Sequence, residues 1–413
     1  MIARARPPAR ILATTRRRAL IGSALALPFV RRAAAAEPIR IGMVLAKQGP
    51  ISIQARDLAR GGFFALAQQN NTILGRPAEI VWLDEANPQM AQQNAEKLVT
   101  EQKVVALIGG SLSSYALAIE AYAGRAKIPY VANNAAATEI TGKDCNRYTF
   151  RVNPPVAVQA RAMAPYLEKI GKRWYFITAS YAFGQDIANS FKQILHEIGG
   201  TDAGSDSVPV GTPDYSSYVL KIREAKPDLV IGGLTSGDLS NFLKQWKEFG
   251  LLEKIPFTEI AVGDTDLWSI GPAVAAGLYT SLWWYKDPNN SPADQAYAAA
   301  FEKQFHRPAS DKTWMGWIAM RSLLESIESA RSTEPMAIVE ALESWRISDG
   351  AMPVYYRKWD HQFVHRMLIL KVKRHIPDAW DYFDVIESSP ATQAAIPAVF
   401  GTEQGTACHM RAS

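Results

Sequence analysis

Short apolar runs alternate with amphipathic segments along most of the chain, and this alternation predicts an α/β fold. In the first part, the runs have the length and composition of buried strands, and they are Ile39–Leu45, Ala78–Leu83, Val104–Ile108, Ile128–Val131 and Arg147–Val152. The segments between them carry apolar residues at helical spacing: Gln54–Asn70, Pro88–Glu101 and Tyr115–Ala126. Strands that alternate with helices predict a parallel, doubly wound sheet.

The pattern breaks at Asn153-Pro154-Pro155 and then restarts. Strands are predicted at Arg173–Thr178, Asp206–Val210, Asp228–Ile231, Pro256–Val262 and Leu278–Tyr285. Helices are predicted at Val156–Ile170, Tyr181–Ile198, Tyr215–Ala225, Ser236–Phe249, Ala293–Phe305, Thr313–Arg331 and Pro335–Trp345. The fold class is therefore α/β with two doubly wound parallel sheets. A last strand, Met367–Lys373, must join one of them, and residues 388–413 have no strong period and are expected to form a surface tail.

One stretch, from Val104 to Thr141, places two small polar loops at the carboxyl ends of neighbouring strands. Ser111, Ser113 and Ser114 follow the first strand, and the loop Asn133–Thr138 follows the second. Ligands of open α/β sheets bind at that edge. The serines precede a helix, whose first N–H groups are free to meet an anion. The alternative is that Ser113 or Ser114 only caps the helix.

This stretch, IGGSLSS before a helix, then IPYV and a loop ending in Thr-Glu-Ile-Thr, resembles the periplasmic solute-binding proteins of ABC importers. The branched-chain amino-acid-binding group is the most similar, and the resemblance runs from about Ile39 to Glu387. It implies a type I periplasmic binding protein fold in which the chain crosses between two lobes three times, near Pro154, Leu282 and Pro353. Lobe 1 would then hold residues 37–154 and 283–352, and lobe 2 residues 155–282 and 353–387.

The resemblance also implies a ligand site in the cleft between the lobes. A carboxylate would be held by Ser113, with its neighbour Ser114, and by the loop residues Asn134, Ala135 and Ala136. Phe183, beside Tyr181, matches an aromatic position of the family, and Asp264 matches loosely an acid that meets an ammonium group. Further candidates on the cleft loops are Gln54 and Thr235.

Three departures from the family pattern change the expected ligand. Ala136 stands where the family has threonine, Phe183 where tyrosine is usual, and Gln54 where another tyrosine occurs. The pocket would therefore make fewer polar contacts with an amino acid. Aromatic candidates are Tyr115, Tyr181, Phe183, Trp268, Trp283, Trp284, Trp314 and Trp317. Trp314 and Trp317 have helical spacing that is equally typical of core residues. Together these residues favour an apolar or aromatic ligand with a carboxylate or amide end.

Composition and charge narrow the class of protein. The 413 residues are 48% hydrophobic and 21% charged, values typical of a globular protein with room for two domains. The net charge of +5 comes from the first 36 residues, which hold eight arginines and no acid; the other 45 − 8 = 37 basic residues face 40 acidic ones. A net charge of −3 gives no reason to expect a nucleic-acid partner.

The basic leader has the pattern of an export signal. Arg16-Arg17-Arg18 resembles the twin-arginine motif, an apolar stretch covers Ala19 to Val30, and Ala34-Ala35-Ala36 supplies small residues before Glu37. The stretch is too short to span a bilayer, and the alternative is a basic amphipathic tail. We expect residues 1–36 to be removed and the mature protein to be a periplasmic monomer without stable membrane insertion.

Cysteine count and catalytic motifs complete the sequence-based picture. Cys145 and Cys408 are the only cysteines; in an exported protein they are expected to pair, with two free thiols as the alternative. No nucleophile elbow, phosphate loop or zinc-protease motif occurs. His361 and His365 are four residues apart, but the segment is predicted to be a turn leading into a strand, so no metal and no cofactor are expected.

Three functions remain open at this point. The resemblance implies a solute-binding protein that hands its ligand to the membrane permease of an ABC importer. A periplasmic ligand sensor that reports to a receptor would use the same site. An exported hydrolase is the third possibility, and the empty search for catalytic motifs argues against it.

Overall fold

A computed structural model describes residues 37–234, 237–260, 262–349 and 352–410. The leader, residues 1–36, and the candidate ligand residue Thr235 lie outside the described residues. No helix in the described ranges is long and apolar enough to cross a membrane.

The first six strands form one sheet, as the alternating pattern predicts. They are β1 Ile39–Val44, β2 Thr72–Ile73, β3 Arg76–Leu83, β4 Ala106–Gly109, β5 Tyr130–Ala132 and β6 Thr149–Arg151. Their order is β2-β3-β1-β4-β5-β6. All neighbours are parallel except the short edge strand β2, which pairs antiparallel with β3. Parallel pairing brings the carboxyl ends of β1, β4 and β5 to one edge.

A seven-stranded sheet forms from the next part of the chain and from a late return. Its strands are β7 Arg173–Ala179, β8 Thr201–Val208, β9 Leu229–Gly233, β10 Phe257–Glu259, β11 Leu278–Ser281, β15 Met367–Val372 and β16 Phe383–Ser389. The order is β16-β15-β11-β10-β9-β7-β8. The predicted last strand thus joins this sheet as β15, antiparallel to β11. The partner of β15 on its other side, β16, is not predicted from the sequence.

A small antiparallel sheet is formed by the part of the chain between β11 and β15. It consists of β12 Arg346–Asp349, β13 Met352–Tyr356 and β14 Phe363–Val364. Short strands of this kind carry too few residues to show a period, and none of the three is predicted.

The helices agree with the predicted amphipathic segments, with two additions. They are α1 Ser52–Gln68, α2 Pro88–Thr100, α3 Ser113–Ala126, α4 Val156–Leu167, α5 Ala182–Glu197, α6 Ser216–Ala225, α7 Gly237–Glu248, α8 Asp264–Ile270, α9 Pro292–Phe305, α10 Asp311–Ala330, α11 Pro335–Ser344 and α12 Ile396–Phe400. The additions are α12 and, near the cleft, α8, where the sequence predicts no helix. Its seven residues are too few to establish a helical period.

Two glycines allow α1 and α10 to pack closely. A Cβ atom on Gly61 would lie 2.0 Å from the carbonyl oxygen of Thr313, and one on Gly316 would lie 2.0 Å from that of Leu58. The backbones can approach this closely only because both positions lack a side chain. α10, which follows β11 of the seven-stranded sheet in sequence, is thereby packed against α1, the first helix after a strand of the six-stranded sheet.

Residues 388–410 are more ordered than the expected surface tail. Residues 388 and 389 end β16, and α12 buries Ile396 and Phe400. Arg161 donates to the carbonyl of Val399, and Arg357 donates to that of Phe400. The segment then ends in a disulfide between Cys408 and Cys145, whose Cα atoms lie 5.6 Å apart.

Candidate ligand-binding site

The site is built from loops at the carboxyl ends of strands in both large sheets. In the six-stranded sheet, Gly109 of β4 pairs with Ala132 of β5, so the loops that follow these strands lie side by side. Gly109 has φ +138°, and a Cβ atom there would lie 1.9 Å from the carbonyl oxygen of Val44. The first loop can turn tightly against β1 only with glycine at this position.

A cleft of about 260 Å³, partly open to solvent, lies between these loops and the start of α5. Seven of the ten candidate ligand residues line it, and Ser111 and Leu112 complete the lining. The seven are Gln54, Ser113, Asn134, Ala135, Ala136, Tyr181 and Phe183. Tyr181 and Phe183 lie at the start of α5, which follows a strand of the seven-stranded sheet. The other five lie on α1, on α3 or in the loop after β5, all of which follow strands of the six-stranded sheet, so the cleft lies between the two sheets.

Ser113 does not cap its helix. The N-cap of α3 is Leu112, and no side chain caps this helix. Instead, the Ser113 hydroxyl oxygen accepts hydrogen bonds from the backbone N–H groups of Ala136 and Ala137, at 3.3 and 3.1 Å. The hydroxyl and the two amides of the neighbouring loop therefore converge at one point beside the cleft. Ser114 is half-buried and is not among the described lining residues.

A chain of hydrogen bonds runs from the cleft residues to α8. The Asn134 side-chain amide donates to Gln54 Oε1 at 3.0 Å and to the carbonyl of Ser111 at 2.8 Å. Gln54 Nε2 in turn donates to both carboxylate oxygens of Asp266, at 2.9 and 2.8 Å. Asp266 belongs to α8, which follows a strand of the seven-stranded sheet, so these three side chains join the two halves.

Asp264 does not occupy the place expected from the resemblance. It is 1% exposed, is absent from the described lining of the cleft, and accepts a 2.9 Å hydrogen bond from the backbone N–H of Asp311. Burial, together with the neighbouring Asp311, raises the pKa of Asp264 well above its usual range. Asp266 is also 1% exposed and outside that lining, but it is the acid of α8 that contacts a lining residue, Gln54. One helical position separates the two, and the sequence alone does not indicate which one faces the cleft.

Two aromatic rings form the apolar wall. Tyr181 and Phe183 stack with their ring centroids 5.9 Å apart and their planes inclined by 28°. The other aromatic candidates are not among the residues described as lining the cleft. Trp283, Trp284, Trp314 and Trp317 are buried in the core, and the indole N–H groups of Trp314 and Trp317 donate to Asp294 and Gln68. The core interpretation of these two helical tryptophans therefore agrees with the structure.

Glu85 is a buried acid beneath the first loop that the sequence does not single out. Its Oε1 accepts a 2.5 Å hydrogen bond from the backbone N–H of Ser111, while the Ser111 hydroxyl accepts one from Ala46 N–H at 3.0 Å. Burial raises the pKa of Glu85 to about 8. Glu85 follows the predicted strand Ala78–Leu83, and this position at the carboxyl end of a strand is the only signal in the sequence for a role near the cleft.

The two histidines do not form a metal site. His361 is buried, with Nδ1 3.1 Å from the carbonyl oxygen of Thr149 and Nε2 2.8 Å from Glu343 Oε1. Burial lowers its pKa to about 3. His365 Nδ1 lies 2.6 Å from the carbonyl oxygen of Arg366. Within the described ranges no cluster of three or more His, Cys, Asp or Glu side chains is arranged to hold a metal.

The fold and the cleft define a two-sheet binding protein, and comparison with known proteins gives the family. A profile described as "Periplasmic binding protein" matches residues 38–377. The chain belongs to the periplasmic binding protein family.

Individual relatives are similar at low identity but over most of their length. Leu/Ile/Val-binding protein homolog 6 of Brucella abortus (strain 2308) is 25% identical over 288 residues, which cover 67% of this chain and 72% of that protein. A periplasmic binding protein from Burkholderia mallei superimposes with a TM-score of 0.82 at 23% identity, covering 90% of this chain and 99% of that one. A solute-binding protein of an ABC transporter from Rhodopseudomonas palustris BisB5, in complex with 3,4-dihydroxybenzoic acid, gives a TM-score of 0.78 at 21% identity, covering 86% and 98%. These solved structures share the type I fold with this chain.

Proposed function

We propose that this protein captures a small aromatic or apolar carboxylic acid in the periplasm and delivers it to the membrane permease of an ABC importer. The two lobes would be residues 37–154 with 283–352 and residues 155–282 with 353–387, closing on the ligand by a hinge motion. The observation that carries the proposal is the cleft itself, because its lining residues follow strands of both large sheets.

The polar end of the cleft suits a carboxylate. The Ser113 hydroxyl and the N–H groups of Ala136 and Ala137 converge there. A carboxylate oxygen can take the place of the hydroxyl as acceptor for these amides, while the hydroxyl donates to it. Hydrogen bonds to a charged acceptor are stronger than neutral ones, so this arrangement favours a ligand that carries a negative charge.

The acids near the cleft argue against a ligand with an α-amino group. An amino acid needs a carboxylate to meet its ammonium group, because a buried charge without a partner is costly. Asp266 already accepts two hydrogen bonds from Gln54, and Asp264 is engaged with Asp311. The apolar wall of Leu112, Tyr181 and Phe183 suits a ring or an alkyl chain instead. The Rhodopseudomonas palustris protein of the same fold, solved with 3,4-dihydroxybenzoic acid, supports this ligand class.

A matched ligand series tests the proposal. Thermal-shift and calorimetric titration would compare benzoate, 3,4-dihydroxybenzoate, benzamide, L-leucine and L-phenylalanine. We expect an aromatic acid to stabilise the protein, by about 2.7 kcal/mol when its concentration is 100 times its Kd. Benzamide has the shape of benzoate without the charge and serves as the control. Binding of the amino acids alone would contradict the proposed ligand class.

Delivery and export form the second part of the proposal. A permease partner is supported by the ABC-transporter proteins among the solved structures of the same fold. The twin-arginine route is supported by Arg16-Arg17-Arg18 and the small residues before Glu37. Co-purification of the membrane permease with the ligand-loaded protein, and its loss without ligand, would test the partnership.

A further inference from the structure

One peptide group beside the ligand cleft is held between two charged side chains from opposite directions. This group joins Ala137 to Thr138, directly after the loop that lines the cleft. Its carbonyl oxygen accepts a hydrogen bond from the Arg151 guanidinium. Its N–H donates to Asp186 Oδ2 at 2.6 Å. Both bonds involve an ionisable partner, which makes them stronger than bonds between neutral groups.

Arg151 anchors this peptide to the six-stranded sheet. It ends β6, is 0% exposed, and also donates to Gln362 Oε1 at 2.7 Å and to the Thr141 hydroxyl. Burial lowers its pKa to about 10, so the guanidinium stays protonated at neutral pH. Asp360, an acid whose charge acts on Arg151, forms its own ion pair with Arg357. The guanidinium is thus a fixed positive charge under the loop.

Asp186 approaches from the other half of the molecule. It lies on α5, between β7 and β8 of the seven-stranded sheet, whereas Thr138 follows β5 of the six-stranded sheet. The hydrogen bond between them therefore exists only when the two halves are together. Asp186 is half-buried and is not among the described residues that line the cleft. Thr138 is two positions along the chain from Ala136, which lines the cleft. The contact is therefore next to the ligand site without being part of it.

We propose that Asp186 is a closure residue: by binding the Ala137–Thr138 peptide that Arg151 fixes, it holds the two halves together and raises ligand affinity without touching the ligand. The effect on affinity rests on the proposed function, whereas the effect on closure does not. The same peptide contact also orients the amides of Ala136 and Ala137, so closure and the geometry of the anion site change together.

Two variants remove the contact from its two sides. Asp186→Ala removes the acceptor and keeps a good helix former. Thr138→Pro removes the donor, because proline lacks an N–H. Thr138 is the first residue of a 3-10 helix, where proline is well tolerated, and Ala137 has φ −59° and ψ 135°, a conformation favoured before proline. Thr138→Pro also removes the Thr138 hydroxyl, which lies against the same Asp186 carboxylate, so both variants act on one contact. Glu197→Gln, at the exposed end of the same helix, is the control.

Small-angle X-ray scattering of the protein without added ligand measures closure directly. We expect a larger radius of gyration for both variants than for the wild type and for Glu197→Gln. The double variant should equal either single one, because both changes remove the same bond. Equal radii for all proteins would overturn the proposal, whether or not any ligand is known.

Calorimetric titration with benzoate then measures the consequence for affinity. We expect each variant to raise the Kd by about 10- to 150-fold, the range for loss of a hydrogen bond to a charged group. A raised Kd with an unchanged radius would show that Asp186 acts inside the pocket and would also overturn the proposal. If benzoate fails to bind the wild type, the ligand class is wrong and the scattering result still decides the role of Asp186.

Discussion

Gln54, which lines the cleft, is joined to Asp266 of α8 by two hydrogen bonds of 2.9 and 2.8 Å, from one amide nitrogen to both carboxylate oxygens. Gln54 stands where the resemblance to branched-chain amino-acid-binding proteins implies a tyrosine, and Asp266 is the acid of α8 that contacts it. The Gln54 amide thus makes the contact with Asp266 that the ammonium group of a ligand would otherwise make. We expect this pair to disfavour ligands that carry an ammonium group.

Removing the Gln54 amide should change ligand preference. In Gln54→Ala, Asp266 loses the two hydrogen bonds from Gln54 and keeps a longer one of 3.4 Å from Gly263 N–H. A buried carboxylate that has lost two donors favours a cationic group more strongly. We expect L-phenylalanine and L-leucine to bind at least about tenfold more tightly than to the wild type, a change of about 1.4 kcal/mol. Calorimetric titration measures the change. Gln48→Ala, on the exposed loop nearby, is the control, and unchanged amino-acid affinity would refute the role assigned to the pair.

Ser113→Ala should weaken binding of an aromatic acid by roughly 10- to 150-fold, because a hydrogen bond to a charged group is lost. The amides of Ala136 and Ala137 also lose their acceptor, so the free energy of unfolding should fall by about 1–3 kcal/mol. Ser114→Ala provides the matched control, since Ser114 is not among the described lining residues. Calorimetric titration and thermal melts of both variants test this. If Ser113→Ala keeps wild-type affinity, the anion site has been placed on the wrong residue.

Glu85 should make stability depend on pH. Its folded pKa of about 8 lies above the unfolded value of about 4.3, so between these values the folded protein holds a proton that the unfolded chain has released. Stability attributable to Glu85 is therefore complete at low pH and falls as pH rises through this window. Glu85→Gln keeps an acceptor for Ser111 N–H and should be more stable than the wild type at pH 8.

Denaturant unfolding at pH 5, 6.5 and 8 measures this dependence. The difference between Glu85→Gln and the wild type should grow with pH, whereas Glu101→Gln, an exposed change, should give a constant difference. A pH-independent difference for Glu85→Gln would mean that Glu85 is ionised in the folded state.

The Cys145–Cys408 disulfide should stabilise the protein chiefly by restricting the unfolded chain. The two residues are 263 positions apart, so the loop-entropy model gives an upper limit of roughly 6 kcal/mol. A variant with both cysteines changed to serine should unfold at lower denaturant concentration. Reductant should destabilise the wild type and leave the variant unchanged. Two titratable thiols in the native, unreduced protein would rule out the bond.

The leader predicts export with cleavage after Ala36. N-terminal sequencing of periplasmic material should begin at Glu37, and replacing Arg16 and Arg17 with lysine should block export, because the twin-arginine route requires both. A mature protein that keeps Arg16-Arg17, or that is exported after the replacement, would contradict the proposed route.

The α/β fold and most of the cleft could be predicted because both depend on local patterns. Buried parallel strands give continuous apolar runs, and the loops after β4 and β5 must meet at one sheet edge. The resemblance then placed Phe183, Tyr181 and Gln54 in the same site. These are features that a short window of sequence contains.

The missed features depend on contacts between distant parts of the chain. Asp186 meets Thr138 from a different sheet, and Arg151 meets Gln362 across 211 positions of sequence. The choice between Asp264 and Asp266 was decided by α8, whose seven residues show no period. Strands β12 to β14 are likewise too short for their alternation to be recognised. Side-chain partners across a cleft leave no trace in local periodicity.

The disulfide also changes what a single cut in the backbone would do. The ring that it closes, from Cys145 to Cys408, runs through every strand of the seven-stranded sheet and through β6, α9 and α10 of the other half. A protease that nicks any one bond inside this ring leaves two fragments that remain covalently linked. In non-reducing gel electrophoresis the nicked protein would migrate as a single chain, and it would separate into two fragments only after reduction. While the disulfide is intact, each fragment keeps the other at a high local concentration, which favours reassembly.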